Sequence, residues 1–294
     1  MRNSISILFL MICGVFLHSC NSSDEPPFKA DSPFLNPQDS AIVMEIYSSL
    51  RLFEERDVNE IWVKHHPDMW RGVSYEYDPQ TGMRYVSGLS INIPTIGDSI
   101  PSSIGGLTRL KSFTMCGQCN SQSEFLVPKE IFDCPLETLR LELREKLFGE
   151  EIQSKLPSEI NKVKDSLKSL TIICCGLVEL PESMGELENL EECDLTGNHI
   201  SGKVPEYFGD FKCSAILVNN RFNEFNWDMF MQGKTIPDCR VNYITNEIPD
   251  EILENYYELF KKNFFAELYY SADNDQRWIS EYTLKWRQDR GLAL

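Results

Sequence analysis

The sequence predicts an α/β fold: a repeat solenoid with a curved parallel sheet and a helical cap at each end. Three observations carry this. A short motif of an aliphatic residue, Pro, two mostly polar residues and an apolar one recurs at Ile100-Pro101, Val127-Pro128, Leu156-Pro157, Leu180-Pro181, Val204-Pro205 and Ile248-Pro249. The first five prolines are spaced 27, 29, 24 and 24 residues apart. Each motif follows a short segment with apolar residues at every second position, the period of a strand, and both flanks of the array have helical periodicity instead. A unit this short cannot bury its own apolar face, so copies must stack on one another.

Taken in order, the chain opens with an address. Arg2 precedes an apolar run from Ile5 to Leu17. As a helix rising about 1.5 Å per residue, this run is too short for a hydrocarbon core of about 30 Å. A basic start and a short apolar stretch describe a secretory signal. Leu17-His18-Ser19-Cys20 resembles a bacterial lipobox, which implies that residues 1–19 are a lipoprotein signal peptide and that Cys20 carries the lipid. Asn21-Ser22-Ser23-Asp24-Glu25 resembles the surface-export signal of Bacteroidota lipoproteins. That resemblance implies an outer-membrane lipoprotein exposed on the cell surface, held to the membrane only through Cys20. The alternatives are an ordinary signal peptide cleaved nearby, a plain polar tether and a periplasm-facing protein. Pro26, Pro27, Pro33 and Pro37 make residues 20–38 an extended linker.

Residues 39–84 read as the N-terminal cap. Ile42, Val43, Ile46, Leu50, Phe53 and Ile61 recur near helical spacing over 39–62, followed by Trp62 and Trp70-Arg71-Gly72-Val73. Residues 85–252 hold about six or seven repeats. The clearest runs Leu187, Leu190, Cys193, Leu195, Asn198, Ile200, Gly202, Val204-Pro205. Other copies carry Leu107, Leu110, Phe113, Met115; Leu136, Leu139, Leu141; and Leu167, Leu170, Ile172, Leu177. Looser copies surround Leu89 and Ile91, Leu217 with Asn220 and Phe222, and Val241. Asn198 and Asn220 sit where a turn must bond backbone groups that would otherwise be orphaned. Each Pro begins the return segment, where its fixed φ suits a helical or 3₁₀ start. The longer spacing between Met115, Leu141 and Ile172 places small insertions near 119–126 and 146–155.

This pattern resembles leucine-rich-repeat (LRR) proteins, with a consensus nearest the plant-receptor type. The Trp70-x-Gly72-Val73 step resembles the N-terminal cap of plant-type LRRs, but that cap's paired cysteines are absent, so no disulfide carries over. Residues 253–294 read as a helical, aromatic C-terminal cap. Leu253, Tyr256, Tyr257, Phe260, Phe264 and Leu268 share a face, and Trp278, Tyr282 and Trp286 follow at four-residue spacing. The other reading of that segment is an aromatic surface for a partner.

The function follows from the sheet. Residues flanking the L-x-L pairs point to the concave face by strand alternation. They are Ser90, Asn92, Thr114, Arg140, Glu142, Thr171, Asp194, Thr196, Val218, Arg240 and Asn242, small and polar with a few charges. Such a surface suits a wet, hydrogen-bonded contact. The expected function is non-catalytic binding, by a monomer, of a protein or else a glycan; the LRR resemblance favours protein. An accessory structural subunit of an outer-membrane uptake or envelope complex is the alternative.

Other chemistry is weakly supported. With 28 Lys+Arg against 45 Asp+Glu the net charge is −17, which excludes a general nucleic-acid binder. Cys116-Gly-Gln-Cys119 has thioredoxin-like spacing but leads into a turn rather than a helix N-terminus, so thiol–disulfide enzymology is the least favoured reading. Eight cysteines follow Cys20, namely Cys116, Cys119, Cys134, Cys174, Cys175, Cys193, Cys213 and Cys239. Their connectivity is open, with pairing among Cys116, Cys119 and Cys134 one possibility and Cys174 or Cys175 a candidate for the Asn-like turn site. His65-His66 and Asp273-Asn274-Asp275 lack the companions of a metal site, so no cofactor or metal is expected.

Overall fold

A computed structural model describes residues 34–50, 70, 72–96, 100–119, 128–144, 153–265 and 276–291. The chain divides into two units, Met1–Pro33 and Phe34–Leu294, and every described residue belongs to the second. The signal, Cys20, His65-His66, Asp273–Asp275 and most of both expected insertions lie outside the described residues.

Helix α1 spans Pro37–Ser49. It starts before position 39, because Pro37 is not part of the linker but the first helical residue, where a missing N–H costs nothing. Asn36 caps it, its side-chain oxygen accepting from the N–H groups of Gln38 and Asp39. Ile42, Val43, Ile46 and Leu50 are buried.

Strand β1, Val73–Asp78, pairs antiparallel with β2, Met83–Ile96, through a tight turn in which Gly82 N–H donates to the Asp78 carbonyl at 2.9 Å. The sequence reading did not anticipate this hairpin. From β2 onward the sheet is parallel: β3 (Ser112–Cys119), β4 (Thr138–Arg144), then β6 (Ser169–Ile173) and β8 (Glu192–Asp194). Two bridges, Asp194 to Ile216 and Ile216 to Asp238, continue the same ladder. Two short parallel pairs flank it: β5 (Ser154–Lys155) with β7 (Leu177–Glu179), and β9 (Ser201–Lys203) with β10 (Arg221–Glu224).

The proline motif has a direct physical reading. Pro101, Pro128, Pro157, Pro181 and Pro205 each precede a 3₁₀ turn with extended φ between −60° and −72°, and Pro249 precedes helix α3 at Asp250–Asn255. In all six, the proline carbonyl accepts from the N–H three residues on, at 3.0 to 3.4 Å. That third residue is Ile104, Ile131, Ile160, Met184, Phe208 or Ile252, and each is fully buried. The motif therefore turns the chain and plants an apolar anchor in one step. Successive turns pack closely: a Cβ at Gly105 would lie 2.7 Å from the Glu130 carbonyl oxygen.

Between sheet and turns lies one continuous apolar core. In the coil from 187 to 208, Leu187, Leu190, Cys193, Leu195, Ile200, Val204 and Phe208 are all 2 % exposed or less. Each such large side chain contributes roughly 1.5–3 kcal/mol of burial. Buried asparagines stitch the coils along one edge. Asn198 donates to the carbonyls of Ile172 and Leu195, Asn220 to Leu195 and Leu217, and Asn242 to Leu217 and Cys239. Their side-chain oxygens accept from the preceding turn: Cys175 and Leu177 for Asn198, Ile200 for Asn220, Phe222 for Asn242. Cys175 holds the equivalent place one coil earlier, its thiol donating to the Leu141 carbonyl. The residue before each ladder position has positive φ: Cys174 at 54°, Gly197 at 74°, Asn219 at 57° and Val241 at 60°.

At the far end, α2 (Asp228–Met231), α3 and α4 (Tyr257–Phe264) enclose an aromatic cluster of Phe225, Trp227, Phe230, Tyr256, Phe260 and Phe264, with centroid separations from 4.9 to 6.4 Å. Helix α5, Gln276–Asp289, reaches α3 through Trp286 Nε1, which donates to Asp250 at 2.7 Å. Phe260 and Phe264 are fully buried, so they are packing and not the exposed partner surface of the alternative reading.

Candidate functional site

The inward pairs Leu89/Ile91, Phe113/Met115, Leu139/Leu141, Leu170/Ile172, Cys193/Leu195 and Ala215/Leu217 are buried to 2 % or less. Alternation then sends the residues between and after them to the opposite face. The parallel register aligns these into rows. One row runs Ser90, Thr114, Arg140, Thr171, Asp194, Ile216, Asp238. The next runs Asn92, Cys116, Glu142, Ile173. Backbone bonds from Cys174 to Thr196, Gly197 to Val218 and Asn219 to Arg240 carry that second row onward.

Asn92, Thr114, Arg140, Glu142, Asp194, Thr196, Val218 and Arg240 thus share one face, all exposed or half-buried. Two expected members are closed to solvent in the free protein. Asn242 is 1 % exposed and belongs to the asparagine ladder, because its side chain is consumed by the backbone groups of Leu217, Cys239 and Phe222. Thr171 lies in the row but is also only 1 % exposed. The sequence reading missed Ile216, 37 % exposed, and Asp238. Repeating the spacing of Asp194 and Thr196 on the next two coils finds both.

The charges are arranged in pairs. Arg140 is bonded to Glu142 on the same strand. Arg240 holds Asp238 bidentately, Nε to Oδ1 at 2.8 Å and a terminal nitrogen to Oδ2 at 2.6 Å. Between these pairs, Asp194 accepts only from the Thr196 N–H at 2.9 Å. Glu192, one row over, accepts from the Ser169 hydroxyl. At the hairpin end, Gly72, Ser74, Tyr75, Glu76, Ser87, Gly88, Ser90, Lys111 and Ser112 line a depression of about 460 Å³. Lys111 and Glu76 are paired across it at 2.8 Å, which holds the Glu76 carboxyl below the usual range.

The cysteines do not form the expected groupings. Cys116 and Cys119 lie on one extended strand, so their Cα atoms are about 10 Å apart, beyond disulfide reach. The thioredoxin-like reading fails because the motif sits in a strand and not at a helix N-terminus. Cys134 follows a turn on the other side of the core, donates to the Ile104 carbonyl, and has its thiol pushed up to about 12 by burial. It therefore cannot pair with Cys116. Cys134, Cys193, Cys213 and Cys239 are free thiols. Among the described residues no three His, Cys, Asp or Glu side chains come together to hold a metal ion, and no helix is long and apolar enough to cross a membrane.

No family model matches the chain. It is 36% identical over 80 residues to receptor like protein 27 of Arabidopsis thaliana, and 34% identical over 106 residues to receptor like protein 26 of the same plant. Those matches cover 26% and 34% of this chain but only 10% and 13% of the two relatives. Among solved structures, the LRR ectodomain of the Arabidopsis thaliana receptor kinase GASSHO1/SCHENGEN3 aligns with a TM-score of 0.53 at 17% identity, over 73% of this chain and 25% of that one. A plant ice-binding protein aligns with a TM-score of 0.52 at 20% identity, over 73% and 66%. The chain thus has the parallel-sheet fold of the GASSHO1/SCHENGEN3 LRR ectodomain, and about a third of it is similar in sequence to plant receptor like proteins.

Proposed function

We propose that the chain is a capped LRR solenoid, lipid-anchored through Cys20 at the outer surface of a Bacteroidota-like cell, that binds a protein partner as a monomer without catalysis. One observation carries the binding role: six of the seven positions in the register-aligned row present exposed or half-buried side chains. These mix paired charges, an uncompensated carboxylate and a partly exposed Ile216, the composition of a recognition surface. Support by analogy comes from the GASSHO1/SCHENGEN3 ectodomain, which was solved in complex with Casparian strip integrity factor 2. The helices at both ends act as caps, shielding the terminal coils from water.

A photo-crosslinking residue at Thr196, compared with one at Glu182 on a return turn, tests the face. Adducts to a defined protein from Thr196 alone support it; equal labelling from both positions refutes it. Protease shaving of intact cells with a periplasmic control protein tests the location. Loss of the chain while the control survives is expected, and protection of a chain that is cleavable when purified overturns it. The serine-lined depression favours a second ligand class, a glycan, which a glycan array with and without Ser112→Leu tests.

A further inference from the structure

We propose that the centre of the sheet face takes a lysine side chain from an extended segment of a protein partner, with Asp194 and Thr171 as its acceptors. The inference rests on the reading of that face as the binding surface and adds the chemistry of the occupant. Thr171 lies between Arg140 and Asp194 in strict register, on the face opposite the buried Leu170 and Ile172. Its Oγ1 is closed off from water and has no hydrogen-bond partner. Buried hydroxyls are ordinarily bonded, because an unmade bond keeps the full desolvation cost. This one is therefore an acceptor left open by the fold.

Asp194, on the next strand, is about 4.8 Å away in the pairing direction. Its Oδ1 is taken by the Thr196 N–H, and its other oxygen meets no donor. Nearby cations are already engaged, Arg140 by Glu142 and Arg240 by Asp238. The negative charge of Asp194 thus stands uncompensated, on a chain whose net charge of −17 already draws cations inward.

The geometry points to an ammonium over a guanidinium. Arg favours two free oxygens of one carboxylate, and Asp194 has only one. A lysine head is compact, carries three donors and can divide them between Asp194 and Thr171. Ile216, bridged to Asp194 and 37 % exposed, offers a ledge for the lysine stem. Because Thr171 is covered in the free protein, the side chains above it must change rotamer on binding, as interface side chains commonly do.

The test uses the full chain and fluorescein-labelled peptides of alternating Leu and Lys, with Arg and Glu versions, titrated at low salt. The Lys peptide should bind best, the Arg peptide several-fold less well and the Glu peptide not measurably. Asp194→Asn should weaken the Lys peptide about tenfold, and Glu258→Gln, on an exposed helix away from the face, should not. Thr171→Val should weaken binding several-fold while raising the thermal midpoint, and Thr171→Ser should restore binding. A merely structural threonine would not separate stability from affinity in this way. Equal binding of Lys and Glu peptides, or indifference to Asp194→Asn, overturns the proposal. If the peptide fails while Thr196 still crosslinks a partner, the cationic occupant is wrong and the face survives; if both fail, the face falls too.

Discussion

The asparagine ladder predicts unequal costs for three chemically identical substitutions. Consider Asn→Leu at 198, 220 and 242, which nearly conserves volume at positions 3 %, 3 % and 1 % exposed. What differs is how many backbone groups lose their last partner. At 198, the N–H groups of Cys175 and Leu177 and the carbonyl of Ile172 are orphaned, while the Leu195 carbonyl keeps Asn220. At 242, the Phe222 N–H and the Cys239 carbonyl are orphaned. At 220, only the Ile200 N–H is, because the Leu195 and Leu217 carbonyls each retain a neighbouring asparagine at 2.8 and 2.9 Å. At roughly 1–3 kcal/mol per buried unmade bond, the expected losses are about 3–9 kcal/mol at 198, about 2–6 at 242 and about 1–3 at 220. The double variant at 198 and 220 strips the Leu195 carbonyl of both donors, so its cost exceeds the sum of the single losses by about 1–2 kcal/mol. Urea denaturation followed by tryptophan fluorescence and circular dichroism measures all four. Equal single losses, a costlier change at 220 than at 198, or strict additivity would refute the shared-acceptor account.

Three further outcomes follow. Val241 has φ of 60°, a region β-branched residues avoid, so Val241→Asn should stabilise by about 1 kcal/mol in the same urea assay; no gain would mean that the Val241 contacts outweigh the strain. Asp39 is buried, its oxygen accepts from the Val86 N–H, and desolvation raises its pKa above the ordinary value of 3.8. The folded state then binds the proton more tightly, so stability is highest below the unfolded pKa and falls as pH rises through the folded one. Asp39→Asn keeps the acceptor and should gain on the parent at neutral pH but not at acid pH; a difference independent of pH contradicts this. Gly105→Ala should lower the melting temperature, because its Cβ meets the Glu130 carbonyl oxygen at 2.7 Å, whereas Gly82→Ala meets no atom within 4 Å and carries only its positive φ of 68°.

How much was legible in the sequence depends on where the information sits. Proline acts through its own φ, so the six turns were readable from local residues, and so were the buried anchors three positions on. Asn198 and Asn220 were readable as turn residues because leucines at 195 and 217 fixed their register. In the next coil, Pro237 and Cys239 replace the leucine pair, and Val241 looks like an inward strand residue. That displaced Asn242 to the wrong face, although 198, 220 and 242 are spaced evenly. The hairpin was missed although Val73, Tyr75 and Tyr77 alternate and Asp78-Pro79-Gln80-Thr81-Gly82 is a turn sequence. Burial of Thr171 could not be read at all. Its neighbours Arg140 and Asp194 are 31 and 23 residues away in the chain, and only the register joins them.

The ladder also gives the molecule a direction in time. The amides of Cys175 and Leu177 find their acceptor in Asn198, that of Ile200 in Asn220, and that of Phe222 in Asn242. Each turn is thus completed by residues that leave the ribosome after it. A nascent chain cannot close one coil until about one more coil has emerged. The series ends only when Asn263 on α4 donates to the Ile236 carbonyl and lends its own carbonyl to the Cys239 N–H. During synthesis the growing edge stays unsatisfied until α4 supplies these last bonds.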